Sequence, residues 1–235
     1  MTLLKDKYSY VQHQRKEIDG NRFYLDSNGN PVASVTTILA ETKPPESKEQ
    51  LENWKRRVGH EEANRITKQS TDIGTMVHEA VEAFYHGHEW DTFPDTDDGR
   101  VARKMTQTMM DHCLPKINEV WGLEVSLVMD DFYAGTADCI GIYNNKESII
   151  DFKTSRKMKK KEWIEDYFLQ CVAYANAHNK AFNTNIKQLV VLMVDRLYLH
   201  KVFVIPEDEF ELYTQKWRIR LSNYLNMKFK EKNGG

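Results

Sequence analysis

The spacing of apolar positions changes period along the chain. Between residues 71 and 86, Ile73, Met76, Val77, Ala80, Val81 and Phe84 fall at i, i+3, i+4, i+7, i+8 and i+11, the stripe of an amphipathic helix. Leu123, Val125, Leu127 and Met129 then alternate with more polar neighbours, as in a strand. Residues 133–143 and 147–153 read as two further strands joined by Asn144-Asn145, a dipeptide suited to a tight hairpin turn. Two more strands, 188–194 and 197–205, flank Asp195-Arg196. Helices are predicted over 160–179 and 207–228, and over 100–121 with a kink near Pro115. Ser47 followed three residues later by Gln50 is a capping-box pattern, opening a helix to about Lys68. Ahead of these, Asp19-Gly20-Asn21 and the turn at 27–30 flank residues 22–26 as a small hairpin, and Ser34 stands at a helix start. The order predicts an α/β fold, one mixed β-sheet flanked by helices, in a single domain over 1–235. Residues 1–45 form its N-terminal hairpin extension and 71–205 its core.

Composition narrows the class. The 235 residues carry 33 basic and 35 acidic side chains, a net charge of −2, which excludes a histone-like coat of positive charge but not a local groove for nucleic acid. Apolar runs such as 190–194 and 202–205 fall far short of the ~20 residues that span a bilayer, so no membrane partner is expected. Cys113, Cys139 and Cys171 are too few for a four-thiolate iron–sulfur cluster and show no paired spacing. The first residues lack an apolar signal core or an Arg-rich transit composition, which favours the cytoplasm.

The candidate chemistry lies at the end of an apolar strand, Ile149-Ile150-Asp151-Phe152-Lys153-Thr154. Residues two apart share a strand face, so Asp151 and Lys153 project together. Alone, the pair also fits a strand-edge ion pair. Asp138 lies 13 residues earlier and is nearly symmetric with Asp151 about the 144–145 turn. Opposed residues across antiparallel strands lie roughly 4.5–5.5 Å apart. Two carboxylates that close repel unless a cation separates them, and hard oxygen ligands favour Mg²⁺ or Mn²⁺. Lys153 would then polarise the nucleophile or the scissile phosphate. A shifted register would keep the aspartates apart. His78 lies one turn beyond Gly74 on the flank of the 71–86 helix, a place where a histidine taken alone is more often a partly exposed surface or boundary residue. Gln170 and Tyr174, one turn apart, could grip a phosphate or a base, or simply pack.

Gly74-x-x-x-His78, Gly135-x-x-Asp138, Ile150-Asp151-Phe-Lys153-Thr154 and Gln170-x-x-x-Tyr174, in that order, resemble the motif set of RecB-type nucleases of the PD-(D/E)XK superfamily. A finer likeness runs through 33–39, Trp54-Lys-Arg-Arg57, 151–155 and 169–174 to the mitochondrial genome maintenance exonuclease branch, whose members degrade single-stranded DNA from free ends. The resemblance implies a restriction-endonuclease-like fold, with His78, Asp138, Asp151 and the Phe152 carbonyl binding Mg²⁺ or Mn²⁺. It further implies that Lys153 is catalytic beside Asp138 and Asp151, and that Gln170 and Tyr174 contact DNA. Ala137 stands where the superfamily name has proline. The lack of a targeting segment favours a bacterial or phage version over an organellar one. Glu124 matches a glutamate often seen in the family and equally fits a solvated strand position.

Five positive charges among residues 156–161, Lys157 included, follow the Asp151 strand, where phosphate neutralisation would be useful. Trp54, Lys55, Arg56 and Arg57 suggest an arch or clamp over the strand. Ser34, Thr36 and Thr37 could offer hydroxyls to phosphate, while Lys216, Arg218 and Arg220 read as a solvated face. The expected activity is metal-dependent exonucleolytic hydrolysis of single-stranded DNA, by in-line attack of water that leaves a 5′-phosphate. It would act in replication, repair or recombination. The rivals are a structure-specific or flap endonuclease on the same fold and a non-catalytic nucleic-acid-binding module.

Overall fold

In the computed structural model, which describes residues 3–233, the elements follow one another as β1 (Leu3–Leu4), β2 (Arg15–Ile18), β3 (Asn21–Leu25), β4 (Pro31–Ala33), α1 (Val35–Glu41), α2 (Pro45–Val58), α3 (His60–Tyr85), α4 (Asp97–His112), β5 (Ile117–Met129), β6 (Tyr133–Tyr143), β7 (Lys146–Ser155), α5 (Glu165–Phe182), β8 (Gln188–Asp195), β9 (His200–Ile205) and α6 (Glu207–Asn233). The main sheet runs β1-β5-β6-β7-β8-β9, and β2-β3-β4 form a small second sheet. Strand β7 pairs antiparallel with β6 and parallel with β8, so the sheet is mixed as expected, and α5 is the crossover that parallel pairing requires. Asn144 and Asn145 both have positive φ (47° and 63°), the left-handed pair that a two-residue hairpin demands.

Alternation divides the core. Ile150, Phe152, Val190 and Leu192 turn one way and pack on Ile73, Val77 and Val81 of α3 and Met105 and Met109 of α4. Ile149, Leu189, Val191 and Met193 turn the other way, onto Phe168 and Val172 of α5, Trp217 of α6 and Ile38 of α1. Asp151 and Lys153 share parity with Ile149, so they lie on the α5 side.

The structure departs from the sequence reading at several boundaries. The region of 47–68 is not one helix: Gly59 at φ 90° separates α2 from α3, and α3 then runs unbroken through residue 71. No capping box forms. Pro44 takes the N-cap position, which leaves Ser47 inside the first turn of α2. The helix predicted over 100–121 stops at His112, and Pro115 sits in a short 3₁₀ turn, Leu114–Lys116. Residues 117–122 continue as strand because β6 offers them a partner, with Val120 opposite Gly141 and two register shifts along the way. The N-terminal hairpin is a three-stranded meander, and the helix predicted over 160–179 starts only at Glu165, so residues 160–164 precede α5. Arg220 is not solvated. It is buried, donating to Asp166, Thr42 and the Leu39 carbonyl, and ties α6 to α5 and α1.

The segment before β2 straps across the end of α5. Tyr8, Tyr10, His178 and Phe182 form an aromatic cluster in which Tyr10 Oη lies 3.0 Å from His178 Nε2. The Thr184 hydroxyl donates to Asn179 Oδ1, so His178 Nδ1–H donates to Thr184 and Nε2 accepts from Tyr10. Burial, and secondarily Lys7, hold the His178 imidazole neutral with its pKa lowered to about 4. A histidine whose pKa is lower in the folded than in the unfolded chain contributes fully above about pH 6.5. That stability is lost as pH falls toward 4, by about 3 kcal/mol in total. Urea midpoints of wild type and His178→Gln measured from pH 7 to 4.5 are expected to diverge, with wild type the more acid-sensitive. Parallel pH profiles would disprove it.

Candidate active site

The β6–β7 ladder runs from Tyr143 opposite Lys146 to Cys139 opposite Ile150. That register makes Asp138 and Asp151 the next facing positions, as the symmetry about the turn anticipates. The ladder ends there. The Phe152 amide donates instead to Asp138 Oδ2 at 2.8 Å, so a carboxylate replaces the strand's own carbonyl partner. Across β5, Leu123 faces Cys139 and Val125 faces Ala137, which puts Glu124 opposite Asp138. Glu124 has φ 48°, a left-handed conformation inside a strand that costs about 1–3 kcal/mol.

Helix α3 closes the site from the other side. A Cβ on Gly74 would meet Thr154 Oγ1 at 3.3 Å, so the helix lies close on β7 where His78 must reach. His78 Nε2 donates to the Phe152 carbonyl at 2.8 Å. Its Nδ1 lies 3.7 Å from Glu124 Oε1 and 3.8 Å from Asp138 Oδ2. Burial opposes ionisation of this ring, but Asp138, Glu124 and Asp151 outweigh burial and the Lys153 charge, and its pKa is raised to about 9. The imidazolium thus supplies the positive charge that the carboxylates need.

His78, Glu124 and Asp138 form a group whose ligand atoms lie within 4.8 Å of one another. The tight trio therefore contains Glu124, where the sequence reading put Asp151. Asp151 is 2% exposed, and its Oδ1 accepts from Lys153 Nζ at 2.6 Å. Its Oδ2 is buried and has no hydrogen-bond partner. Burial pushes the Asp151 carboxyl up, with Asp138 adding to the effect and Lys153 opposing it. Burial alone would discharge Lys153, yet Asp151 and Asp138 keep it an ammonium, its charge also facing the Tyr167 ring at 5.1 Å. An orphaned buried carboxylate oxygen beside a His–Glu–Asp trio fits a hard divalent cation. The residues available to hold it are His78, Glu124, Asp138, Asp151 and the Phe152 carbonyl.

The site opens into a cleft of about 490 Å³ lined by His78, Glu124 and Asp138, with Thr36, Gln170 and Tyr174 also on its wall. Gln170 Nε2 donates to Tyr174 Oη at 3.3 Å, and both side chains are largely buried. A Cβ on Gly135 would lie 2.6 Å from the Tyr174 ring, so the glycine makes room for the tyrosine. Ser34 does not face the cleft. It is buried as the N-cap of α1, accepting from the Thr37 amide, and Thr37 is bonded to both backbone groups of Arg22. Of those three hydroxyls only Thr36 lines the cleft. Arg56 lies in the last turn of α2, a helix with no buried residue, and Lys157 lies in the exposed loop after β7; neither lines the cleft. Arg15 and Arg22, absent from the sequence reading, do line it. Only the meander's docking against β6 brings them there, and no local sequence signal marks it.

Fold and site together define a mixed α/β chain with an acidic–histidine cluster beside a lysine, among the described residues without a helix long and apolar enough to cross a membrane. No family model matches the sequence. The chain is 29% identical over 211 residues to human mitochondrial genome maintenance exonuclease 1, covering 85% of this chain and 60% of that protein. It is 31% identical over 207 residues to the mouse protein of that name, covering 83% and 59%. The chain thus spans about three-fifths of the length of the relatives it matches. A crystal structure of a Eubacterium rectale protein described as a candidate exonuclease shares the fold, with TM-score 0.50, 11% identity, and 71% and 68% of the two chains covered. The similarity in sequence is thus to proteins named as exonucleases, and the likeness to the solved structure is one of fold.

Proposed function

We propose that this chain is a metal-dependent nuclease that hydrolyses phosphodiester bonds of single-stranded DNA from a free end, with Mg²⁺ or Mn²⁺ as cofactor. The observation that carries the reading is the convergence of His78, Glu124 and Asp138 beside the orphaned oxygen of Asp151 and the ammonium of Lys153. The similarity to exonucleases named for genome maintenance supports the reaction class and a role in DNA replication, repair or recombination.

A divalent ion held by His78, Glu124, Asp138 and Asp151 would supply Lewis-acid activation of the scissile phosphate and of the attacking water. The chain's own groups do the rest. Asp138 is oriented by the Phe152 amide, and the carbonyl of that same residue faces His78, so β6 presents an oriented carboxylate beside a carbonyl oxygen of β7. Lys153, held by Asp151, keeps a fixed positive charge where the pentavalent phosphate gains negative charge. Gln170 and Tyr174 form a rigid wall for a nucleotide, and Thr36 offers a hydroxyl at the cleft rim. Helix α2 and the 156–161 loop provide outer positive charge for the strand, with Arg56 and Lys157 among its carriers.

The test uses strands labelled separately at each end, and a covalently closed single-stranded circle, with Mg²⁺, Mn²⁺ or EDTA. Digestion of the linear strands from one label, a spared circle and inhibition by EDTA are expected. Cutting of the circle would replace the exonuclease by an endonuclease on the same fold, and no digestion of any substrate would leave a binding module.

A further inference from the structure

We propose that Arg15 and Arg22, on the small β2–β3–β4 sheet, form a phosphate subsite for the substrate strand, distinct from the metal cluster. The inference rests on the nucleic-acid reading above and assigns that strand a path.

Arg15 faces Tyr24 across the β2–β3 ladder and Glu17 faces Arg22, so Arg15, Arg22 and Tyr24 share one face of the meander. That face is pinned to the catalytic strand. Tyr24 is buried and its hydroxyl lies 2.9 Å from Thr136 Oγ1, two residues before Asp138 and on the same side of β6. The root of Arg22 is equally fixed. Its amide donates to Thr37 Oγ1 at 3.2 Å, and its carbonyl accepts from Thr37 Oγ1 at 3.2 Å and from the Ser34 amide at 2.9 Å. The two guanidinium groups therefore stand on a rigid platform against the site.

Both arginines line the 490 Å³ cleft, and both continue into an adjoining pocket of about 280 Å³ that Thr36 also shares. The two spaces form a track from Asp138 to Asn21. Within the inner cleft Glu79, Glu82, Glu124 and Asp138 contribute negative charge, and Arg15 and Arg22 are, with His78, its positively chargeable side chains. An anionic strand entering that space needs positive charge besides the metal. Arg65, Arg100 and Arg103 are each engaged by a carboxylate. Among the described residues, Arg15 and Arg22 have no ion pair and no side-chain hydrogen bond. Not even Glu17, opposite Arg22 in the ladder, engages one. Two forked donors on a fixed platform, free and facing a cleft, suit a phosphate group, which each can bind bidentately. That phosphate is either an internal phosphodiester or the phosphate of a strand end.

The measurement is binding of a fluorescent single-stranded oligodeoxynucleotide in EDTA, titrated against NaCl, for wild type, Arg15→Gln, Arg22→Gln and the double variant. Lys146→Gln, at the distant β6–β7 turn, is the control. Each single change is expected to weaken binding about tenfold and to lower the salt slope by about 0.7, while the control does neither. Thermal melting checks that the variants fold, and Arg→Lys variants should recover the salt slope better than the affinity. Oligomers with a 5′-phosphate, a 3′-phosphate or hydroxyls at both ends separate the sources. A loss confined to one phosphorylated end assigns the end phosphate, and an equal loss on all assigns an internal phosphodiester. A double variant with wild-type affinity and slope overturns the subsite, as does a wild type that binds no oligomer. Cleavage by wild type in Mg²⁺, read separately, keeps failure of the subsite distinct from failure of the nuclease reading.

Discussion

Replacing Asp151 by asparagine is expected to reduce cleavage of single-stranded DNA by at least about 10³-fold while leaving the metal-free protein folded and no less stable. The two effects have one cause. Asp151 Oδ1 is engaged by Lys153, but Oδ2 is buried without a partner, and burial raises the carboxyl above its ordinary range. A carboxylate whose folded pKa lies above its unfolded value destabilises the fold when ionised, so at neutral pH its charge is a burden on the empty site. Asparagine keeps the shape and an oxygen for Lys153, removes the charge, and takes away a ligand for a cation. In EDTA the variant should therefore melt at or above the wild-type temperature. Saturating Mn²⁺ should raise the wild-type melting temperature, since a ligand bound only to the folded chain stabilises it, and should raise that of the variant much less. A variant that still digests labelled DNA, or that melts many degrees lower in EDTA, would sink this account.

Gly135→Ala is expected to cost about 1–3 kcal/mol and to lower cleavage, although it adds only one methyl group. The added Cβ would sit 2.6 Å from Tyr174 Cε1 and 2.8 Å from its hydroxyl. Tyr174 is 3% exposed, held by Gln170 and packed in the α5 core, so it has little room to retreat. Displacing it moves the wall of the cleft beside Asp138. The clash belongs to a pair, so a double-mutant cycle can isolate it. Tyr174→Leu removes the ring, and the double variant should be less destabilised than the sum of the singles by more than about 0.5 kcal/mol. Strict additivity in urea unfolding would show that the ring is not what Gly135 accommodates.

Several parts of this structure were legible because they are local. The period-3.6 stripe from Ile73 to Phe84 lies in α3, and the Asn144-Asn145 turn sets a register that brings Asp138 and Asp151 to facing positions. Misreadings arose where a partner overrides local preference. Residues 117–122 follow an amphipathic helix closely enough to read as its end, yet β6 offers a ladder and the helix stops. Ser34 looked available for phosphate, but its hydroxyl caps α1 in the interior. Arg220 read as surface from its charged neighbours, whereas α1 and α5 enclose it.

Local pattern and composition were enough for the α/β class, the succession of the core elements from α3 to α6, the near-neutral balance of −2 and the coincidence of Asp138, Asp151 and Lys153 on one hairpin. The charge balance is a sum over composition, and the rest follows from periodicity and turn chemistry over a few residues. It takes the folded chain to bring Glu124 to His78 and complete the trio, to leave one Asp151 oxygen orphaned, and to turn Arg15 and Arg22 to the cleft. Those facts join residues tens of positions apart through strand register, helix docking and a meander pinned by Tyr24 to Thr136. The physical reason is that charge acts through space and burial, and neither distance nor burial between remote segments is encoded in any short stretch of chain.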